Sequence, residues 1–334
     1  MAIGGSFTPE VSASNQRTGP GVRRLRQVFA RPDVLVLGGG GVLGEAWLRA
    51  CLAGLADGTG WDPRESDAFV GTSAGSIVAA VLAAGRAPEA HGGAAAAWEP
   101  GLADGRDAGG GSAIVRGGLS VAGRAAAALA APLAPVASTA LTPAGARLRA
   151  TVLRQGRPAT GEIPHLRAAL APLRARFDGR LRVTAVDRAS GRRVVFGAPG
   201  APEADVVDAV LASCAVPWLF RAVEIGGREY VDGGAWSPSN LDAAPVSRGT
   251  RVLCLNPTAS PRLAADRLGA TRRFAGASSA AESLLLRRRG ARVRVVAPDA
   301  ATVAAIGPTL FDGARRGAVA AAGYAQGQAL GRHG

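Results

Sequence analysis

A serine placed between two glycines is the first feature of this 334-residue chain that could support a reaction. In Gly71-x-Ser73-x-Gly75 the serine follows an apolar run at residues 68–70 and precedes a helical stretch. On a strand-to-helix turn, small flanking residues let the backbone turn sharply, and the following helix directs free N–H groups at the hydroxyl. The pattern predicts that Ser73 is a nucleophile, with a purely structural glycine turn as the alternative interpretation.

A second glycine segment, Gly39-x-Gly41-x-x-Gly44, follows the first predicted strand at residues 33–37. Such a run can bind the pyrophosphate of a dinucleotide, or its backbone N–H groups can form an oxyanion hole for acyl transfer. A dinucleotide site expects an acidic residue at the end of the second strand, where this chain has a Gly-Thr-Ser run. An oxyanion hole expects a nucleophile at the end of an adjacent strand, and Ser73 meets that condition. The sequence therefore favours the oxyanion hole.

The base that would activate Ser73 has no clear histidine candidate. The chain has three histidines, His91, His165 and His333, and none lies in a segment that predicts a catalytic triad. We interpret them as surface or structural residues. Asp232 offers an alternative, because a carboxylate that accepts a hydrogen bond from a serine hydroxyl can act as general base without an imidazole.

The residues around Asp232 suit that role. Asp232 ends a predicted apolar strand and is followed by Gly233 and Gly234, which permit close backbone approach and an exposed carboxylate. Taken alone, an Asp-Gly-Gly segment is more often a simple turn. The residues by themselves therefore leave both interpretations of this segment open.

The three segments, residues 39–44, 71–75 and 232–234, together resemble the signature set of the patatin-like phospholipases. Residues 212–220, shortly before the aspartate, also resemble that family. The resemblance covers about residues 33–256 and, more weakly, the final helices. It implies an α/β fold with three α/β/α layers and a mostly parallel central sheet. It also implies a lipid acyl hydrolase of the phospholipase A or esterase type.

The resemblance further implies residue roles. Ser73 would be the nucleophile and Asp232 the base of a catalytic dyad that works through an acyl-enzyme, with no metal and no cofactor. Backbone N–H groups of the glycine run would form the oxyanion hole, and the other motif glycines would have structural roles. The oxyanion glycines are Gly39, Gly40 and Gly41, and the structural ones are Gly44, Gly71, Gly75, Gly233 and Gly234.

One position departs from the family pattern. Where the family commonly has arginine or lysine in the glycine run, this chain has Leu43, which removes a local positive charge. Two other hypotheses come from different classes of protein. One is a nucleotide-binding α/β protein that uses residues 39–44, and the other is a non-catalytic, arginine-rich surface-binding protein.

The charge of the chain predicts its partners. There is no lysine, so all 39 basic residues are arginines, against 25 acidic residues and a net charge of +14. Such a charge attracts anionic surfaces. The arginine clusters at residues 17–31 and 287–294 include one aromatic residue, Phe29, which is too little for stacking on single-stranded nucleic acid. We expect lipid or other acyl-ester substrates, peripheral contact with anionic membranes, and no nucleic-acid partner.

The pattern along the chain predicts a flexible basic leader over residues 1–32 and a patatin-like hydrolase domain over residues 33–330. Within that domain, glycine- and alanine-rich residues at about 85–141 indicate a lid-like insertion. Strand–glycine turn–helix occurs twice in the first half, which predicts a parallel α/β sheet. The first of these helices is expected over residues 42–56, closed by Gly58. No signal peptide or membrane span is evident, which favours a cytoplasmic protein.

Overall fold

The computed structural model describes residues 31–88, 143–155, 163–259 and 269–333. The predicted leader and most of the predicted insertion therefore lie outside the described residues. The strands are β1 (Val34–Leu37), β2 (Ala68–Thr72), β3 (Leu181–Asp187), β4 (Arg193–Phe196), β5 (Val223–Ile225), β6 (Arg228–Asp232), β7 (Arg251–Leu255) and β8 (Arg292–Val296). The helices are α1 (Gly41–Thr59), α2 (Ala74–Ala83), α3 (Pro143–Gln155), α4 (Pro164–Leu170), α5 (Val206–Cys214), α6 (Gly269–Arg288), α7 (Ala300–Ile306) and α8 (Arg316–His333).

The described strands form one mostly parallel sheet in the order β5-β6-β3-β2-β1-β7-β8, and β4 pairs with β3. Five neighbouring strands run in parallel, in the order β3, β2, β1, β7 and β8. β4, β5 and β6 join this group through antiparallel pairs. The carboxyl ends of the parallel strands therefore meet at one edge of the sheet, as predicted for an α/β fold.

Alternation along β1 divides the core into two layers of packing. Leu35 and Leu37 point to one face of the sheet, where they belong to the cluster formed by α1, α2 and α5. Val34 and Val36 point to the other face and pack with Leu286 of α6. Successive side chains of a strand point to opposite faces, so helices cover both sides of the sheet. The predicted three-layer α/β/α fold is confirmed.

The ends of β2 and β6 meet along one edge of β3. The opposite edge of β3, over residues 183–186, is paired with β4. On the shared edge, β2 pairs with β3 as far as Thr72 opposite Thr184. From Ala185 onward the partner is β6, whose last residue, Asp232, lies opposite Ala185. Because β2 and β6 approach from opposite directions, the residue after Thr72 and the carboxylate of Asp232 are brought to the same place.

Helix α8 and the segment before it hold the start of α1. Trp47 Nε1 in α1 donates to Gln326 Oε1 in α8 at 2.9 Å, and both side chains are buried. The N–H of Leu43 donates to the carbonyl of Leu310 at 3.0 Å. The start of α1 is thereby fixed by residues 267 and 279 positions later in the sequence.

Candidate active site

Ser73 lies between β2 and α2 in a backbone conformation that serine seldom adopts. Its φ is 50° and its ψ is −123°. Non-glycine residues with positive φ are uncommon, and they persist where the surrounding structure holds them. Here the N–H of Ser73 donates to Ser213 Oγ at 2.8 Å, and its carbonyl accepts from Ser76 N at 2.8 Å and from Ser76 Oγ at 2.6 Å. The half-buried side chain is thus presented on a turn that is fixed on both sides.

The glycines that flank Ser73 are sterically required. A Cβ on Gly75 would overlap the carbonyl oxygen of Leu37 in β1, and one on Gly71 would overlap Ser76 Cα. Both obstacles are backbone atoms, which cannot move aside as a flexible side chain could. We call residues 71–75 the serine turn. Its sharpness depends on glycine at both positions, as the structural roles predicted for them require.

The glycine turn, residues 38–41 between β1 and α1, lies against the serine turn. A Cβ on Gly39 would be 3.4 Å from Ser73 Cβ. The N–H of Gly39 donates to the carbonyl of Pro238 at 2.9 Å, so that donor is already engaged. Within the described residues, the N–H groups of Gly40 and Gly41 have no acceptor. These two groups lie at the start of α1, where the helix dipole favours negative charge.

Two glycines of this region allow close packing. Gly41 has a φ of 59°, and a Cβ there would be 2.9 Å from the carbonyl oxygen of Leu310. Gly44 lies against Pro257, whose Cβ would be 3.1 Å from an added Cβ. A side chain at position 44 would therefore have to displace Pro257.

Asp232 is buried beside Ser73, with 4% of its surface exposed. Its Oδ1 accepts a hydrogen bond from the N–H of Gly234 at 2.7 Å. Burial raises the pKa of the Asp232 carboxyl group to about 6, while hydrogen bonds from the Gly234 N–H and the Ser73 side chain act to lower it. The carboxyl group is therefore ionised at neutral pH, yet far more basic than an ordinary aspartate.

The three histidines were interpreted from the sequence as surface or structural residues. His165 is exposed on α4, and His333 is the last residue of α8. His91 lies outside the described residues.

Three buried residues near the site were not singled out from the sequence. Ser213 accepts the Ser73 N–H, and it belongs to residues 212–220, the segment that resembles the family pattern. Asn240 donates to Thr72 Oγ1 at 3.1 Å. Arg149 donates to the carbonyl of Ala235, just beyond the Asp-Gly-Gly segment, at 3.0 Å. Neither Asn240 nor Arg149 lies in a pattern that could have predicted these contacts.

Arg149 is an unusual buried cation. It is 2% exposed and donates to the carbonyl of Gly191 at 2.7 Å. Its guanidinium lies 4.4 Å from the ring centre of Trp236, on which Arg193 also lies, at 5.3 Å. Burial, and then the charge of Arg193, lower the pKa of Arg149 to about 10. The arginine attaches α3 to the turn that follows Asp232.

The described residues contain no cluster of three or more histidine, cysteine, aspartate or glutamate side chains that could hold a metal ion. Among the same residues, no helix has both the length and the apolar character to cross a membrane.

Comparison with known proteins decides the family. A family model described as patatin-like phospholipase matches residues 35–245. The chain belongs to the patatin-like phospholipase family. The matched range includes the glycine turn, the serine turn and Asp232, and membership of this family supports lipid acyl hydrolase activity. Among solved structures, this patatin-like phospholipase is similar to VipD from Legionella pneumophila, at 16% identity and a TM-score of 0.44, over 90% of this chain and 67% of that one. Comparison with curated proteins gives no match.

Proposed function

We propose that this chain hydrolyses carboxylic ester bonds of lipids, with Ser73 as nucleophile and Asp232 as general base. The single observation that carries the proposal is the pairing of a serine on a left-handed turn with a buried carboxyl group whose pKa is raised to about 6. A general base works best when its pKa lies near the working pH. An ordinary aspartate, with a pKa of about 3.9, would be a much weaker base.

In the first step, the Asp232 carboxylate accepts the proton of the Ser73 hydroxyl as Oγ attacks the ester carbonyl carbon. The carbonyl oxygen becomes an oxyanion in the tetrahedral intermediate. Its collapse breaks the bond to the alcohol, which leaves with the proton from Asp232. The acyl group is now bonded to Ser73 Oγ. Water then gives a proton to the same carboxylate and attacks the acyl carbon. Collapse of the second tetrahedral intermediate breaks the bond to Ser73 Oγ, which takes the proton back from Asp232, and the fatty acid leaves.

The N–H groups of Gly40 and Gly41 are the best-placed donors for the oxyanion. Both lack an acceptor among the described residues, and both lie at the amino end of α1. Gly39, the third glycine expected to donate, has its N–H directed at Pro238 O. We therefore assign the oxyanion hole to Gly40 and Gly41, and leave Gly39 without a donor role. Preorganised donors of this kind stabilise charge that develops only during the reaction.

The proposal includes peripheral contact with an anionic membrane surface. The exposed arginines at residues 287–289 lie at the amino ends of the parallel strands, because β8 begins next to them and runs parallel to β1 through β7. Ser73 lies at the opposite, carboxyl edge. Contact through residues 287–289 would therefore turn Ser73 away from the membrane, so we do not assign the membrane contact to these arginines.

A fluorophosphonate probe tests the nucleophile. We expect the folded protein to be labelled at Ser73, and Ser73→Ala to lose both labelling and hydrolysis of a long-chain ester. Ser239→Ala, which removes another buried hydroxyl, one that donates to Glu282 Oε2, is the matched control. Labelling of a different serine, with Ser73 unmodified, would contradict the assignment.

The base is tested by Asp232→Asn, which keeps the shape of the side chain and removes its ability to accept a proton. We expect kcat to fall by about 10²–10⁴-fold, the usual contribution of a general base. The matched control replaces His91, His165 and His333 together, and we expect little change in kcat. Loss of turnover in the folded triple-histidine variant would show that Asp232 is not the general base.

A further inference from the structure

Asn240 is a fully buried amide whose two ends face different parts of the site. It precedes the short turn Leu241–Ala243, with φ 46° and ψ 36°, a left-handed conformation that asparagine tolerates better than most residues. Its Oδ1 accepts from Arg193 at 3.2 Å, and Arg193 is also paired with Asp242. The oxygen end of the amide is therefore fixed, and the Nδ2 end is directed at the place where β2 and β6 meet.

The two hydrogens of Nδ2 have three acceptors within reach, so one hydrogen is shared between two of them. The acceptors are the carbonyl of Ser237 at 2.6 Å, Thr72 Oγ1 at 3.1 Å and the carbonyl of Gly233 at 3.2 Å. Thr72 immediately precedes Ser73, and Gly233 immediately follows Asp232. One side-chain amide thus contacts both chain segments that carry the reacting groups.

The direction of the neighbouring hydrogen bonds follows from this donor. Because Nδ2 can only donate, Thr72 Oγ1 accepts there, and its own hydrogen is available for Thr184 Oγ1, 2.9 Å away. Thr184 Oγ1 in turn donates to the carbonyl of Gly71 at 3.3 Å. The buried chain of donors therefore runs from Asn240 through Thr72 and Thr184 to Gly71, and every hydroxyl in it has an acceptor.

We propose that Asn240 is a positioning residue that fixes the separation of Ser73 and Asp232 by holding Thr72 and Gly233 with a single amide. The inference rests on the proposed function, because it concerns the distance between the proposed nucleophile and base. No hydrogen bond of the sheet ladder joins β2 to β6 directly, since both pair with β3. Asn240 supplies a direct connection between their ends. A displacement of about 1 Å between reacting groups can cost about 10²-fold in rate.

Asn240→Gly tests this role, because glycine keeps the left-handed backbone and removes the amide. We expect kcat to fall by about 10–100-fold, with KM within about threefold of the original, because the substituted side chain is fully buried. We also expect the acid limb of the kcat/KM profile to move to higher pH. The Ser73 side chain lowers the pKa of Asp232, and that effect weakens when the two residues separate.

Ser239→Ala is the matched control. Ser239 is the neighbouring residue, is equally buried, and donates to Glu282 Oε2 at 2.6 Å instead of to either strand end. We expect it to lower the melting temperature without changing kcat or the midpoint of the pH profile. If Asn240→Gly behaves in the same way as Ser239→Ala, Asn240 has only a structural role and the inference is wrong.

Thr72→Val gives a second measurement, and it decides the matter alone if Asn240→Gly does not fold. Valine keeps the shape of threonine and removes the acceptor for Asn240. We expect a loss of kcat, and we expect the double variant to lose less than the product of the two single losses, because both act through one link. Unchanged kcat in Thr72→Val, or fully multiplicative losses, would overturn the inference. Failure of the probe to label Ser73 in the unaltered protein would instead overturn the proposed function itself.

Discussion

The two strand–glycine–helix units of this chain have similar sequences but differ in what makes their glycines necessary. In the serine turn, the obstacles to a side chain at Gly71 and Gly75 are backbone atoms of Ser76 and Leu37. In the glycine turn, Gly40 is enclosed by Pro257 and Gly44, and Gly41 by Leu310 and Phe311. Most of these neighbours come from distant parts of the sequence.

This difference corresponds to what each turn presents. The serine turn places one side chain, Ser73, in a positive-φ conformation that hydrogen bonds with Ser213 and Ser76 hold in place. The glycine turn presents backbone N–H groups and no side chain, so later segments of the chain can pack closely around it. The serine turn presents the Ser73 side chain, whereas the glycine turn leaves the N–H groups of Gly40 and Gly41 without an acceptor among the described residues.

The largest expected effect comes from adding a methyl group to the serine turn. Gly75→Ala places a Cβ on the carbonyl oxygen of Leu37, so β1 and α2 must separate or the serine turn must change conformation. Forcing extra atoms into a packed core costs about 1–3 kcal/mol or more, and we expect loss of probe labelling at Ser73 by at least about 10³-fold. Urea unfolding and the labelling rate measure the two effects.

The matched control for that variant is Gly317→Ala, in the first turn of α8, where a Cβ meets no atom within 4 Å. We expect full labelling, and stability unchanged or increased by up to about 1 kcal/mol, since alanine is the better helix former. If Gly75→Ala and Gly317→Ala were equally active, the steric account of the serine turn would be wrong.

The second prediction concerns Asp232, at the end of β6, whose burial lowers the free energy of unfolding at neutral pH. The pKa of Asp232 is raised from 3.8 to about 6, so the fold favours the neutral acid. The associated stability is present below about pH 4 and is lost as pH rises to about 6. Asparagine is neutral throughout. We therefore expect Asp232→Asn to be more stable than the original protein by about 3 kcal/mol at pH 7, and equally stable at pH 4.

Urea unfolding of both proteins at pH 4 and pH 7 measures this difference. Asp178→Asn is a control of opposite sign, because hydrogen bonds from Arg180 help to hold the pKa of Asp178 below its usual value. That variant should lose stability at pH 7. A stability difference for Asp232→Asn that does not change with pH would show that burial does not perturb this carboxyl group.

The third prediction addresses the glycine turn. Gly40 has an extended φ of −178°, which alanine can adopt, but an added Cβ would be 2.6 Å from Pro257 Cβ and 2.8 Å from Gly44 Cα. We expect the turn to shift and kcat to fall by about 10–100-fold, somewhat less than complete loss of one oxyanion donor. The acid midpoint of kcat/KM should stay at about pH 6, because Asp232 is not disturbed. A moved midpoint would mean that the two turns do not act separately.

Much of the fold followed from local pattern. The apolar run at residues 33–37 predicted β1 to within one residue, and the resemblance carried by the three motifs implied the three layers. Long-range packing accounts for what was missed. Gly58, expected to close the first helix, lies inside α1, where it packs near Gln328 of α8, and Gly60, with φ 71°, ends the helix instead.

The polar contacts of the site were harder to predict for the same reason. Asn240 reaches Thr72 across 168 positions of sequence, and Arg149 reaches Ala235 across 86. Neither has a distinctive local pattern, since a buried polar residue in a loop looks like any other until its acceptors are known. The engagement of the Gly39 N–H by Pro238 was equally invisible, and it is the reason why our proposal leaves Gly39 out of the oxyanion hole.

The smallest expected effect is that of Gly39→Ala, the counterpart of Gly40→Ala in the same turn. Gly39 is not in the left-handed region, and its added Cβ would lie 3.4 Å from Ser73 Cβ and 3.7 Å from Pro238 O, which are ordinary contacts. Its N–H is already donated to Pro238, so the substitution neither strains the backbone nor moves an oxyanion donor. We expect kcat to change by less than about threefold, because the reacting groups keep their geometry. Probe labelling of Ser73 and hydrolysis of a short-chain ester measure the effect, with Gly40→Ala assayed beside it. A loss of 100-fold or more in folded Gly39→Ala would mean that Gly39 turns its N–H from Pro238 to the substrate, and the oxyanion hole would then require all three glycines.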